Sequence, residues 1–185
     1  MVFMERFTIN IAEKYSITEL WGREEGRKIR ESIVDEFVTQ NNSVLLLDFT
    51  DIKRIDFSCA SEIVSILIIR LAAELKGKHI ILFGLSQYVK ENIDAALGKV
   101  DKCCIVLKEN NEWYMIGKFS DSLKDTLSTV VELEEGDTNK IANALSIAVT
   151  SCNNRLKTLV DLGMVGRKEI SAISGGKQFL YYSIL

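Results

Sequence analysis

Three short apolar runs alternate with stretches of helical periodicity, and this alternation constrains the chain more than any other feature. The runs are Val44-Leu45-Leu46-Leu47-Asp48-Phe49, His79-Ile80-Ile81-Leu82-Phe83 and Cys103-Cys104-Ile105-Val106-Leu107. An apolar run of this length, bounded by turn formers, marks a strand covered on both faces. Strands that alternate with helices build a mostly parallel sheet joined by right-handed crossovers. The expected fold class is therefore α/β, with residues 44–49 as the central strand.

Other segments fit that frame. Phe7-Thr8-Ile9-Asn10-Ile11 alternates apolar and polar residues, as a half-buried edge strand does. Ile29, Ile33, Val34 and Phe37 recur at three- and four-residue spacing among charges, which describes an amphipathic helix over 23–37, ended by Asn41-Asn42-Ser43. A second helix is expected from near Ser58 and a third over 87–97. Asn110-Asn111 followed by Glu112-Trp113-Tyr114-Met115-Ile116 suggests a closing hairpin. The helix over 60–75 carries Ile63, Val64, Ile66, Leu67, Ile68, Ile69 and Leu71, so it is apolar nearly all round. One sheet face cannot cover it, and its far side calls for another helix, a second domain or a partner subunit such as a second copy of the chain.

The stretch Asp48-Phe49-Thr50-Asp51-Ile52-Lys53-Arg54-Ile55-Asp56-Phe57-Ser58-Cys59-Ala60-Ser61-Glu62-Ile63 resembles STAS domains, the fold of the anti-sigma factor antagonists. It is closer still to the STAS-like domains, which Gly22-Arg23-Glu24-Glu25-Gly26-Arg27-Lys28-Ile29-Arg30 also fits. The resemblance covers roughly residues 7–107. Where the antagonists usually carry Asp-Ser-Ser-Gly this chain has Asp56, Phe57, Ser58 and Cys59, so the resemblance implies that Ser58 is the serine phosphorylated by a partner kinase. Chemically, a serine there either caps the helix, worth about 1 kcal/mol, or carries a phosphate whose charge alters the surface it faces. Asp56 and Glu62 would repel that phosphate.

Beyond residue 118 the pattern changes. Leu123, Leu127, Val130 and Val131 repeat at helical spacing, and Glu134-Glu135-Gly136-Asp137 ends that helix. Thr138 is expected to cap a short helix holding Ile141, Ala142 and Leu145. A third helix begins near Val149, with Cys152, Leu156, Leu159 and Val160 on its apolar face and Gly163 at its end. Two segments, 164–170 and 178–184, flank a hairpin turn at Ser174-Gly175-Gly176-Lys177. The run from Leu133 through Val165 resembles winged-helix repressors, which implies a small α+β winged helix-turn-helix domain over 119–185 after a STAS-like domain over 1–118.

The net charge of −3 excludes a protein that coats nucleic acid indiscriminately. From Thr150 onward, however, five basic residues (Arg155, Lys157, Arg167, Lys168, Lys177) face two acidic ones (Asp161, Glu169). Local phosphate neutralisation needs such an excess, and Thr150, Ser151, Asn153 and Asn154 add short polar donors at the start of the third helix. A winged helix that binds protein is the alternative.

No cofactor is called for. Cys59, Cys103, Cys104 and Cys152 lack CxxC spacing and His79 is the one histidine, so no zinc site is suggested and the cysteines read as reduced core thiols. Gly175-Gly176-Lys177 lacks the upstream glycine and the following Ser or Thr of a P-loop. No catalytic constellation stands out, although a nucleotide at the carboxyl ends of the parallel strands stays compatible with the fold. The expectation is a non-enzymatic, cytoplasmic regulator with no membrane segment, whose STAS-like domain senses or docks a partner and whose winged helix binds duplex DNA. The alternative is a partner-switching adaptor in which both domains bind proteins, such as a kinase or a sigma-regulatory protein, and Ser58 is the switch.

Overall fold

The computed structural model describes residues 5–171 and 177–185 and divides into two compact units that part between Phe119 and Ser120. The first unit runs β1 (Arg6–Asn10), α1 (Ile11–Tyr15), β2 (Glu19–Leu20), α2 (Arg23–Val38), β3 (Val44–Asp48), β4 (Arg54–Ile55) and α3 (Phe57–Ala60). A π-helical stretch (Ser61–Ile66) then continues into α4 (Leu67–Glu74), followed by β5 (His79–Phe83), α5 (Gln87–Lys99), β6 (Cys103–Leu107) and β7 (Trp113–Gly117).

The main sheet has the order β1-β3-β5-β6-β7, the first four strands parallel and β7 antiparallel in a hairpin with β6. The fold is thus α/β with a mostly parallel central sheet and packed helices. Each crossover steps the same way across the sheet, so right-handed connections place the helices on one face. The core lies there: Ile9, Leu45, Leu47, Ile80, Leu82, Cys104, Val106 and Ile116 from the strands meet Ile29, Ile33, Phe37, Ile63, Leu67 and Ile93 from the helices. The alternate positions Val44, Ile81, Ile105 and Met115 are buried as well, which is why these strands read as unbroken apolar runs. Burial on both faces is shared by β3, β5 and β6 and does not single out a centre. The middle strand is β5, and the expectation that residues 44–49 are central is corrected; β1 is one edge strand and β7 the other.

The segment Phe57 to Glu74 is helical throughout, with the π-helical turn inserted in it. Ile63, Val64, Leu67, Ile68 and Leu71 are buried, against α2 on one side and α5 on the other, while Ile69, Ala72 and Ala73 are exposed. Burial within the unit therefore accounts for most of the apolar surface. Gly26 of α2 makes the approach of α2 to α3 close: a Cβ there would lie 2.9 Å from the Glu62 Cβ and 3.0 Å from the Cys59 carbonyl oxygen.

The second unit runs α6 (Asp121–Leu133), β8 (Glu135–Asp137), α7 (Thr138–Leu145), α8 (Val149–Asp161), β9 (Val165–Ser171) and β10 (Lys177–Ser183). Its strands form an antiparallel sheet in the order β8-β10-β9. Leu123, Leu127, Val130, Ile141, Cys152, Leu156, Leu159, Met164, Val165 and Tyr181 are buried. Ser120 caps α6, its hydroxyl accepting the Leu123 N–H. The cap of α7 is Asp137, whose carboxylate accepts the Lys140 N–H at 2.8 Å, which corrects the assignment of Thr138 to that role. The residues read as merely ending α6 also supply β8. Of the hairpin turn, Ser174, Gly175 and Gly176 lie outside the described residues. Among the described residues no helix is long and apolar enough to cross a membrane.

Candidate nucleic-acid interface

The link between α7 and α8 is tight for local reasons. Ser146 adopts a left-handed conformation (φ 56°) that stops α7, with its N–H on the Asn143 carbonyl and that of Ile147 on the Ala142 carbonyl. Only Ile147 and Ala148 separate this cap from α8. Ala148 offers no side-chain cap, so the first-turn amides of α8 have no side-chain acceptor there.

α8 buries Cys152, Leu156 and Leu159 and turns Thr150, Asn153, Asn154 and Lys157 to solvent, with Ser151 half-buried. No carboxylate lies on α8 before Asp161. Arg155 differs from the expected free contact: it is half-buried, and its Nη1 donates to the Ser122 carbonyl at 3.4 Å, holding α8 to α6. β9 packs against α8 and carries exposed Arg167 and Lys168. The Arg167 guanidinium lies 4.4 Å from the centre of the Phe179 ring, a cation–π contact that leaves its charge in place. Lys168 Nζ stands 3.5 Å from Glu135 Oε2, both groups open to water, so the pair is weak and easily exchanged for another anion. The backbone of Lys177 pairs with Ser171; its side chain lies outside the described part. Thus Thr150, Asn153, Asn154 and Lys157 share the exposed side of α8, and Arg167 is exposed on β9.

Ser58 sits at the other candidate site, and its expected neighbourhood is corrected in two respects. The helix cap is Asp56: one carboxylate oxygen accepts the Cys59 N–H at 2.7 Å and the other the Gly22 N–H at 2.9 Å. Ser58 is a partly exposed residue inside α3. Glu62 does not face it as a free charge, because its carboxylate is buried in an ion pair with Arg30 of α2, with Arg23 at 3.8 Å. Leu20 pairs with Ile55 and accepts the Asp56 N–H, which joins the backbone just before Trp21 to the backbone just before Phe57, and both aromatic side chains are exposed. Sequence reasoning did not find this corner, since two-residue strands carry no periodicity.

Burial pushes the Cys59 thiol up to about 12, reinforced by the charges of Glu25, Asp56 and Glu62, and the Cys103 thiol up to about 11. All four cysteines are buried and none is in a disulfide. Such thiols stay protonated at neutral pH and make poor nucleophiles or ligands. Among the described residues no three His, Cys, Asp or Glu side chains converge as a metal site. At the carboxyl ends of β3, β5 and β6 an open groove of about 930 Å³ is lined by Thr50, Lys53, Gly84, Ser86, Lys108 and Tyr114. The strand order never reverses there, so the sheet lacks the crevice that a switch point creates.

No protein-family model matches the chain, and no curated protein aligns with it.

Proposed function

We propose that this chain is a non-enzymatic, cytoplasmic transcriptional regulator in which a STAS-like unit docks a partner and a winged helix-turn-helix unit binds duplex DNA through α8 and β9. The observation that carries the reading is the exposed ridge of Thr150, Asn153, Asn154 and Lys157 on α8, free of carboxylates for three turns, in a unit whose β9 also exposes Arg167 and Lys168. The order helix, strand, helix, helix, strand, strand is that of winged helices, whose third helix enters the major groove. In this role the α8 polar groups read bases and the first-turn amides, Lys157, Arg167 and Lys168 meet phosphates. The basic patch is small, and a homodimer would double it. Binding of the full chain to duplex DNA, with an affinity that falls steeply as salt rises, is the expected result; duplex binding no better than that of a neutral control protein would refute it.

A second reading rests on a different observation. Phe57, the chain neighbour of Ser58, and Trp21, which follows the strand paired to the one before Phe57, are large and exposed, and exposed aromatics are what protein interfaces use as anchors. A partner-switching adaptor would dock a kinase or sigma-regulatory protein there, with phosphorylation of Ser58 breaking the contact. Equal partner affinity for wild type, Ser58→Asp and the phosphorylated chain would remove it.

A further inference from the structure

The apolar stripe of α8 contains one member that the core does not take up. Cys152, Leu156 and Leu159 are at most 2% exposed, whereas Val149, at the first position of the helix, is 46% exposed. Among the described residues of its unit it is the one large apolar side chain so open to water. It is also not isolated in pattern. Val149, Asn153 and Lys157 follow at four-residue spacing and so form a single ridge on the helix surface, all three exposed. The ridge therefore presents, in order from the helix start, a rigid pair of methyl groups, a carboxamide and an ammonium. A β-branched side chain carries both methyls on Cβ, close to the backbone, and is restricted at χ1, so few directions are open to them before any ligand arrives.

In the major groove the apolar feature of a base pair is the C5-methyl of thymine, and apolar side chains read it by contact. A carboxamide one turn along the same ridge is matched to adenine, which presents an acceptor and a donor to it. We infer that Val149 is a specificity-determining residue that contacts a thymine methyl group, so that the α8 ridge selects a thymine next to the bases read by the asparagines. This inference rests on the DNA-binding reading above and deepens it. It assigns discrimination to a residue that carries no charge and leaves the salt dependence untouched.

The test uses the full chain and a duplex selected by it from a random library, with each thymine replaced in turn by deoxyuridine, which lacks only the methyl group. Loss of one buried methyl predicts about a fourfold weaker binding at one position and none at the others. Val149→Ala should bind the thymine duplex more weakly by a similar factor and bind the thymine and uracil duplexes equally. The variant is expected to fold, since alanine favours the helix and the side chain removed is exposed; an unchanged melting temperature checks this. A thymine-to-uracil penalty that persists in Val149→Ala overturns the inference, because another residue then reads the methyl. Salt-dependent duplex binding with no penalty at any thymine overturns the inference and leaves the DNA-binding reading standing. Failure to bind any duplex overturns both.

Discussion

Removing the Glu62 carboxylate should destabilise the first unit more than any single surface change. The Arg30 and Glu62 side chains are 8% and 7% exposed, and each is the other's main partner across the α2 packing. Glu62→Ala would leave the guanidinium buried with only the Glu31 carboxylate, 2.6 Å away and half open to solvent. Breaking a buried pair from one side costs about 3–5 kcal/mol, and the surviving Glu31 contact reduces this to about 2–4 kcal/mol. Glu62→Gln keeps the volume against Gly26 and an acceptor for Arg30, so it should cost about half as much. Replacing both partners with apolar residues of similar size, Arg30→Met with Glu62→Leu, should return stability to within about 1 kcal/mol of wild type. Urea unfolding followed by tryptophan fluorescence reads this unit alone, because both tryptophans, Trp21 and Trp113, lie in it. A Glu62→Ala shift below about 0.5 kcal/mol, or a double variant no more stable than the single, would refute the argument that the pair is buried and costly to break.

Other outcomes follow from the same geometry. Gly166→Ala should disrupt the β9–β10 pairing, since its Cβ would fall 2.0 Å from the Tyr182 ring; a cost of at least about 1–3 kcal/mol and a loss of tyrosine near-UV dichroism are expected. Asp56→Ala should cost about 2 kcal/mol, a helix cap plus the bond to Gly22, while Ser58→Ala should cost under about 0.5 kcal/mol, both read by urea unfolding. Because burial raises the Cys59 and Cys103 thiols to about 12 and about 11, both are protonated at pH 8, and a thiol-specific chromogen should leave the native chain unlabelled yet react with all four cysteines in denaturant.

The elements legible in the sequence were those with long-range period. The runs of β3, β5 and β6 carry the burial of both sheet faces in their composition, and α2, α5 and α8 show their buried stripes at helical spacing. The pieces that escaped are short or depend on a distant partner. β2, β4 and β8 are two or three residues long, too short for a period. The π-helical turn at Ser61–Ile66 leaves no mark in a run that is apolar on every side. The charges of Arg30 and Glu62 are 32 positions apart, and nothing local in the sequence pairs them; only the meeting of α2 with the π-helical turn does. At the candidate interface the polar start of α8 was visible as composition, but the engagement of Arg155 with Ser122 and of Lys168 with Glu135 depends on how α6, α8 and the sheet pack. Two caps were read one or two residues late, since Asp56 and Asp137 lie just before a serine and a threonine that can also cap a helix.

The central claim is that α8 and β9 meet the phosphates of duplex DNA, and the slope of log affinity against log salt tests it most directly. Lys157 is exposed on α8 and Arg167 is exposed on β9 over the Phe179 ring, so Lys157→Ala with Arg167→Ala should keep the fold and cost no more than about 1 kcal/mol, the worth of that cation–π contact. Two lost phosphate contacts should lower the magnitude of that slope by about 1.8, at roughly 0.9 per contact. A stable double variant with the slope and affinity of wild type at every salt concentration would show that this surface does not touch DNA.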